Sequence, residues 1–215
     1  MKLLLTLLVL VGINFFAPAQ DPLRFQEEVT QITERNKSLP LSPELILFTG
    51  SSSIRLWKDL LERFPEKKIL NTGFGGSHMN DLIYFNHELI IKYKPSRVFI
   101  YEGDNDLSGD KTPDEVLKDA IKLIEIIRKE LADIPIMFIS PKPSLSRWHL
   151  KNKYETFNRR LAQLVKSYDK VLFIDVWTVM LDENNKPMEG IFVDDGLHLN
   201  EKGYDIWAGQ IKSYL

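Results

Sequence analysis

Five short apolar runs recur along the chain, at residues 45–48, 68–71, 97–101, 136–139 and 171–175. Each is rich in Ile, Leu, Val or Phe at successive positions and is bounded by turn-forming or charged residues, the pattern of strands buried on both faces. Between them apolar residues recur at helical spacing over 54–64, 79–93, 112–131, 148–168 and 201–214. The helix at 112 has the clearest start: Thr112 caps it, Pro113 suits the first turn and Glu115 completes a capping box. Its expected core stripe is Leu117, Ile121, Ile124 and Leu131, and Asn200 is the expected cap of the last helix. Strand and helix therefore alternate, which predicts a three-layer α/β/α sandwich, flavodoxin-like, with about five mostly parallel strands.

The ends of the pattern differ from its middle. Residues 1–19 carry Lys2, an apolar run over 3–16 and then Ala17-Pro18-Ala19, a small-residue cleavage pattern, so this segment reads as a secretory signal peptide. A membrane anchor fits less well: the run is shorter than the ~20 residues a spanning helix needs and is broken by Thr6, Gly12 and Asn14. A cleaved chain is expected to be secreted or periplasmic, without a stable membrane span. Residues 20–43 form a helical arm with Phe25, Val29 and Ile32 at helical spacing, and residues 44–215 form one domain. Losing Lys2 with the leader would take the formal charge from −2 to −3, and no basic tract offers itself to a phosphate backbone, so no nucleic-acid partner is expected. The absence of cysteine excludes disulfides, thiolate metal sites and a cysteine nucleophile.

Chemistry gathers where strands end, the edge at which ligands bind in such sheets. Thr49-Gly50-Ser51-Ser52-Ser53 follows the first apolar run, and Asp195-Gly196-Leu197-His198 precedes the last helix. A serine, an imidazole and a carboxylate together point to acyl transfer, because a hydroxyl becomes a useful nucleophile only when a base takes its proton. With Gly50 to Trp57, Asn71-Thr72-Gly73-Phe74-Gly75-Gly76-Ser77, Gly103-Asp104-Asn105-Asp106 and Asp195 to His198 in order, the chain resembles the SGNH hydrolase family, also called GDSL-type esterases and lipases. The resemblance implies Ser52 as nucleophile, His198 as base and Asp195 as its orienting carboxylate. It further implies an oxyanion hole of the Ser52 and Gly76 backbone N–H groups and the Asn105 side-chain amide. Ser51 stands where the family carries aspartate, and Ser53 is the expected helix cap.

Lys142, Arg147 and Trp148, after the fourth run, are possible substrate-cleft residues that would meet a sugar or an anionic group; a solvated loop is the alternative. His78, His87 and His149 lack metal-ligand spacing, so no metal is expected, and Gly73 to Gly76 lacks the residues of a phosphate loop, so no cofactor is implied. The expected function is a secreted serine esterase that hydrolyses short acyl esters, acetyl esters of carbohydrates among them, through an acyl-enzyme. The partner is thus a small-molecule or glycan ester. Lysophospholipase, thioesterase and acyltransferase activities of the same family stay open, as does, from another class, a flavodoxin-like or carbohydrate-binding module without catalysis.

Overall fold

The computed structural model describes residues 21–40 and 42–215; the expected leader, 1–19, lies outside them. Five strands, β1 (Ile46–Gly50), β2 (Ile69–Asn71), β3 (Arg97–Tyr101), β4 (Ile136–Ile139) and β5 (Val171–Ile174), form one sheet of order β2-β1-β3-β4-β5. Every pairing is parallel, with Gly50 opposite Tyr101 at the end of the β1–β3 ladder. Successive side chains along a strand point to opposite faces, and over the central strands both faces are covered, whereas Leu172 of the edge strand β5 is exposed. Leu47, Val98, Ile100, Ile136 and Phe138 enter one buried cluster, while Ile46, Phe48, Phe99, Met137 and Ile139 enter a second. The first lies under the arm helix α1 (Gln26–Arg35) and under the helices at 113–130 and 151–164, the second under the helix at 201–211; Phe48 stacks on Phe99 with ring centres 4.4 Å apart.

The helices are shorter and more broken than their periodicity predicts. Residues 54–64 split into α2 (Ser52–Arg55) and α3 (Leu60–Arg63), and residues 79–93 into α4 (Met79–Tyr84), α5 (Asn86–Leu89) and a 3-10 turn. Met79, Leu82, Ile83, Phe85, Leu89, Ile90, Ile91 and Tyr93 are all buried. At 3.6 residues per turn those positions spread too widely around one straight helix to share a face, so the chain breaks at Phe85 to bury them all. After the short α6 (Asp104–Ser108) comes α7 (Pro113–Glu130), whose capping box forms as expected: Glu115 N–H donates to Thr112 Oγ1 at 3.3 Å and Thr112 N–H to Glu115 Oε2 at 2.7 Å. Its core stripe is Val116, Ala120, Leu123, Ile124 and Ile127; Leu117, Ile121 and Leu131 are only half-buried. The apolar face is broad, and its other edge, Leu117 and Ile121, turns toward Leu164 of α8 (Lys151–Leu164) in a surface cleft. The last helix, α9 (Glu201–Ile211), carries the expected Asn200 cap on Gly203 N–H at 3.2 Å. Among the described residues no helix is long and apolar enough to cross a membrane.

Candidate active site

The order of the sheet creates the site. The chain leaves β1 toward β2 on one side and leaves β3 toward β4 on the other, so a crevice opens between the carboxyl ends of β1 and β3. Gly50 ends β1 at φ 115°, a conformation costly for other residues, and a Cβ there would lie 2.1 Å from the Tyr101 carbonyl oxygen. This sharp, close turn brings the next residues into the crevice. Ser51 occupies the helix-cap position without a side-chain capping bond and Ser52 is the first helical residue, so the cap expected at Ser53 does not form; Ser53 is buried inside α2.

Ser52 Oγ lies 3.0 Å from His198 Nε2, and His198 Nδ1 lies 2.6 Å from Asp195 Oδ2, joining residues 146 positions apart. The second Asp195 oxygen accepts the Leu197 and His198 N–H groups at 2.8 and 2.9 Å. Val193 and His198 close the turn through a backbone bond of 2.9 Å, so carboxylate and ring are held by one tight loop. Desolvation works to raise the Asp195 carboxyl, but the His198 ring and the two backbone N–H groups outweigh it and hold the group at about 2. An ionised Asp195 fixes the tautomer in which Nδ1 carries the proton and Nε2 faces the serine hydroxyl as acceptor.

Of the three oxyanion donors that the resemblance implies, Gly76 and Asn105 lie side by side, and Asn105 touches Ser51, the neighbour of Ser52. The Ser52 and Gly76 N–H groups have no protein acceptor among the described residues. A Cβ on Gly76 would sit 3.8 Å from Asn105 Nδ2, in ordinary contact rather than in a clash. Gly76 therefore lies against the amide, and its missing side chain leaves that approach open to a substrate oxygen. Asn105 Nδ2 donates to Ser51 Oγ at 2.8 Å and to the Ser77 carbonyl at 2.9 Å. Ser51 is thus an acceptor that steadies the Asn105 side-chain amide.

Lys142 lies away from the cleft expected for it, whereas Arg147 borders the site through Asn105. Lys142 is 1% exposed and directs its ammonium at Asp104 Oδ2, 3.1 Å away, so it lines no cleft. Arg147 donates Nη1 to Asp104 Oδ1 at 2.6 Å and Nη2 to Asn105 Oδ1 at 3.0 Å. Tyr101 and Tyr154 hydroxyls complete the shell around Asp104 at 2.6 and 2.7 Å. Burial pushes the Asp104 carboxyl up, but Lys142, Arg147 and the two phenols together hold it well below the usual carboxylate range. A lysine and an arginine after β4 thus neutralise a buried acid after β3, and only the fold brings them together. Trp148 is half-buried and stacks on Trp177 at 5.9 Å.

Three further contributors carry no separate sequence signal. Ser77 Oγ donates to buried Glu102 at 2.6 Å, and burial keeps the Glu102 carboxyl well above its ordinary value. Glu28 of the arm accepts the Gly75 N–H at 3.0 Å, and Phe25 packs edge-on against Phe74 at 5.2 Å. His78 faces Asp106 at 3.8 Å, whereas His87 and His149 take no part in the site. No group of three or more potential metal ligands occurs among the described residues. A cleft bounded by Asp114, Lys118, Ile121 and Arg160 shares no residue with the site and, lacking a nucleophile and base, offers no comparable chemistry.

Comparison with known proteins places this arrangement among relatives. The model of the GDSL-like Lipase/Acylhydrolase family matches residues 41–206. Of solved structures, the chain is similar to a protein from Streptococcus pneumonia named for platelet activating factor, with 24% identity, TM-score 0.79 and coverage of 89% of this chain and 93% of that one. It is similar also to a GDSL-like lipase from Bacteroides thetaiotaomicron, with 20% identity, TM-score 0.73 and coverage of 86% and 96%. A catalytic mutant of an acetylxylan esterase from Geobacillus stearothermophilus shares 18% identity at TM-score 0.66, over 80% and 94% of the two chains. At these identities the likeness is one of fold. No curated protein matches the chain.

Proposed function

The chain belongs to the GDSL-like lipase/acylhydrolase family, and from that premise we propose that it is an exported esterase that removes short acyl groups, acetyl above all, from carbohydrate esters. The observation that carries this reading is the unbroken chain from Ser52 Oγ through His198 to Asp195, at 3.0 and 2.6 Å. His198 Nε2 takes the Ser52 proton as Oγ attacks the ester carbonyl, and Asp195 stabilises the imidazolium that results. The growing negative charge on the carbonyl oxygen is received by the Ser52 and Gly76 N–H groups and by Asn105. His198 then returns its proton to the departing alcohol, which leaves an acyl-Ser52 ester. Water, deprotonated by the same imidazole, attacks that ester, and His198 passes the proton to Ser52 Oγ as the acid leaves and the free serine is restored.

A carbohydrate alcohol suits a site whose base and orienting carboxylate stand at the surface: the His198 and Asp195 side chains are 27% and 47% exposed, so a bulky leaving group can remain in solvent. The fold shared with an acetylxylan esterase supports the same choice. Lys2, the apolar run over 3–16 and Ala17-Pro18-Ala19 support export.

The test is hydrolysis of p-nitrophenyl acetate, butyrate and octanoate, then of acetylated xylo-oligosaccharides, by the wild type, Ser52→Ala and His198→Ala. The expected result is turnover that falls with acyl length and drops by at least about 1,000-fold in either folded variant. Full turnover in folded Ser52→Ala would defeat the assignment of the nucleophile, and preference for octanoate would defeat the short-acyl reading.

A further inference from the structure

We propose that Arg147 is a positioning residue for the oxyanion hole, acting through Asn105 and not through the substrate. The inference rests on the esterase reading above and concerns what makes its third oxyanion donor effective. A primary amide is nearly symmetric in shape, so which end faces the serine is decided by its neighbours. Here Arg147 Nη2 donates to Asn105 Oδ1 at 3.0 Å, while Asn105 Nδ2 faces the acceptors Ser51 Oγ and Ser77 carbonyl oxygen at 2.8 and 2.9 Å. Turning the amide over would set Oδ1 against the Ser77 carbonyl oxygen and the NH2 group against a guanidinium that can only donate. Arg147 therefore makes the donor end of Asn105 the end that the reacting carbonyl meets.

A second effect follows from charge. A cation hydrogen-bonded to an amide oxygen draws electron density from the nitrogen, so the N–H bonds become stronger donors. Both protons of Nδ2 are already engaged, and the substrate oxygen must share one of them with Ser51 Oγ. A polarised N–H makes that exchange favourable when the oxygen becomes an oxyanion and leaves it weak for a neutral carbonyl. Such selectivity raises kcat and leaves ground-state binding almost unchanged.

The position is built for this task. The second arm of the guanidinium is committed to Asp104 Oδ1 at 2.6 Å, and Asp104 is held in turn by Tyr101, Tyr154 and Lys142. The Arg147 side chain is 19% exposed, so it is not a free cationic handle for a ligand. The same loop supports the base, since Ser146 N–H donates to the Gly196 carbonyl at 3.1 Å. Lysine cannot replace the planar fork, because one ammonium does not span Asp104 and Asn105 with two parallel N–H groups.

The experiment uses the full chain as wild type, Arg147→Lys, Arg147→Met, Asn105→Ala and the double variant Arg147→Met/Asn105→Ala. It measures kcat and KM on p-nitrophenyl acetate and the inhibition constant of phenylboronic acid, whose tetrahedral serine adduct mimics the intermediate. Removing an oxyanion donor costs ~100 to 1,000-fold in rate, and loss of its positioning residue should cost about 10- to 100-fold. The expected Arg147→Met thus loses that much kcat with KM within about threefold, and boronate affinity falls in parallel. Arg147→Lys should recover part of the loss. In the Asn105→Ala background the arginine substitution should add little, because the two residues act as one unit.

An unchanged kcat, a change in KM alone, or additive losses in the double variant would overturn the inference. If Arg147→Met does not fold, Arg147→Lys decides: wild-type kcat in a folded lysine variant also overturns it. Wild-type protein without Ser52-dependent turnover would instead sink the esterase reading, and this inference with it. Ser52-dependent turnover with an indifferent Arg147 sinks the inference alone.

Discussion

Glu102 and Ser51 show how much single residues under the oxyanion turn contribute. Glu102 is 2% exposed, accepts from Ser77 Oγ and has no partner for Oε2 among the described residues. Burial raises its carboxyl well above the ordinary 4.5, so the folded protein keeps a proton that the unfolded chain gives up as pH rises past that value. From pH 4.5 upward the unfolded state therefore binds fewer protons than the native state, and stability falls with rising pH until the folded carboxyl also ionises. The stabilising contribution is complete below 4.5 and is lost toward alkaline pH. Glu102→Gln, which keeps the acceptor for Ser77 and cannot ionise, should flatten that decline. Thermal melts of both proteins from pH 5 to 8 check this, and an identical slope for the two would show that Glu102 does not titrate as argued. Ser51, for its part, contributes an uncharged acceptor to Asn105 where a carboxylate would bind the amide more tightly and release it less readily to a substrate.

Among the elements, the arm helix α1 does more than cover apolar surface. Val29 and Ile32 bury its inner face, as their spacing predicts, and the residues just before and within its first turn reach the oxyanion loop. The Phe25 ring fills the space that a Cβ on Gly75 would need, its nearest ring atom lying only 2.0 Å from it. Glu28 holds the Gly75 N–H through both carboxylate oxygens at 3.0 Å, and Arg24 pairs with Asp81 in the first turn of α4. Gly76, the next residue, carries one of the proposed oxyanion N–H groups, so its aim depends on this clamp. Small errors in the placement of reacting groups cost up to ~100-fold, and Glu28→Ala should lower kcat by about 10- to 100-fold with KM little changed, while Glu28→Gln keeps an acceptor and most of the rate. Steady-state kinetics of the two folded variants decide the matter: equal kcat values would reduce the arm to a packing element.

For the molecule as a whole, the topology does what no local segment can. Ser52 follows β1, Gly76 follows β2, Asn105 follows β3 and His198 follows β5, and the parallel sheet carries all four segments to one edge. The proposed export would likewise act on the whole molecule. If residues 1–19 are removed as proposed, intact mass spectrometry of protein recovered from the periplasm or the medium should show a chain beginning at Gln20. A chain retaining Met1 in the cell would contradict the leader.

By itself the sequence determined the strands, because an apolar run of four or five residues buried on both faces has one economical solution, a parallel sheet between helices. It also offered a serine cluster after the first strand and the Asp195–His198 pair by residue type, while Ser52, Gly76 and Asn105 were singled out by the resemblance of their motifs to a known family. Helix breaks at residues such as Phe85, the inward stripe of α7 and the fate of Lys142 and Arg147 were decided only by tertiary structure. Those depend on which surface a side chain meets, and periodicity along one helix carries no record of that surface. Lys142 and Arg147 stand about 40 residues from Asp104. Local patterning shows a basic loop and an acidic turn, and only the packing of β3 beside β4 brings them into one ion-paired cluster next to Asn105.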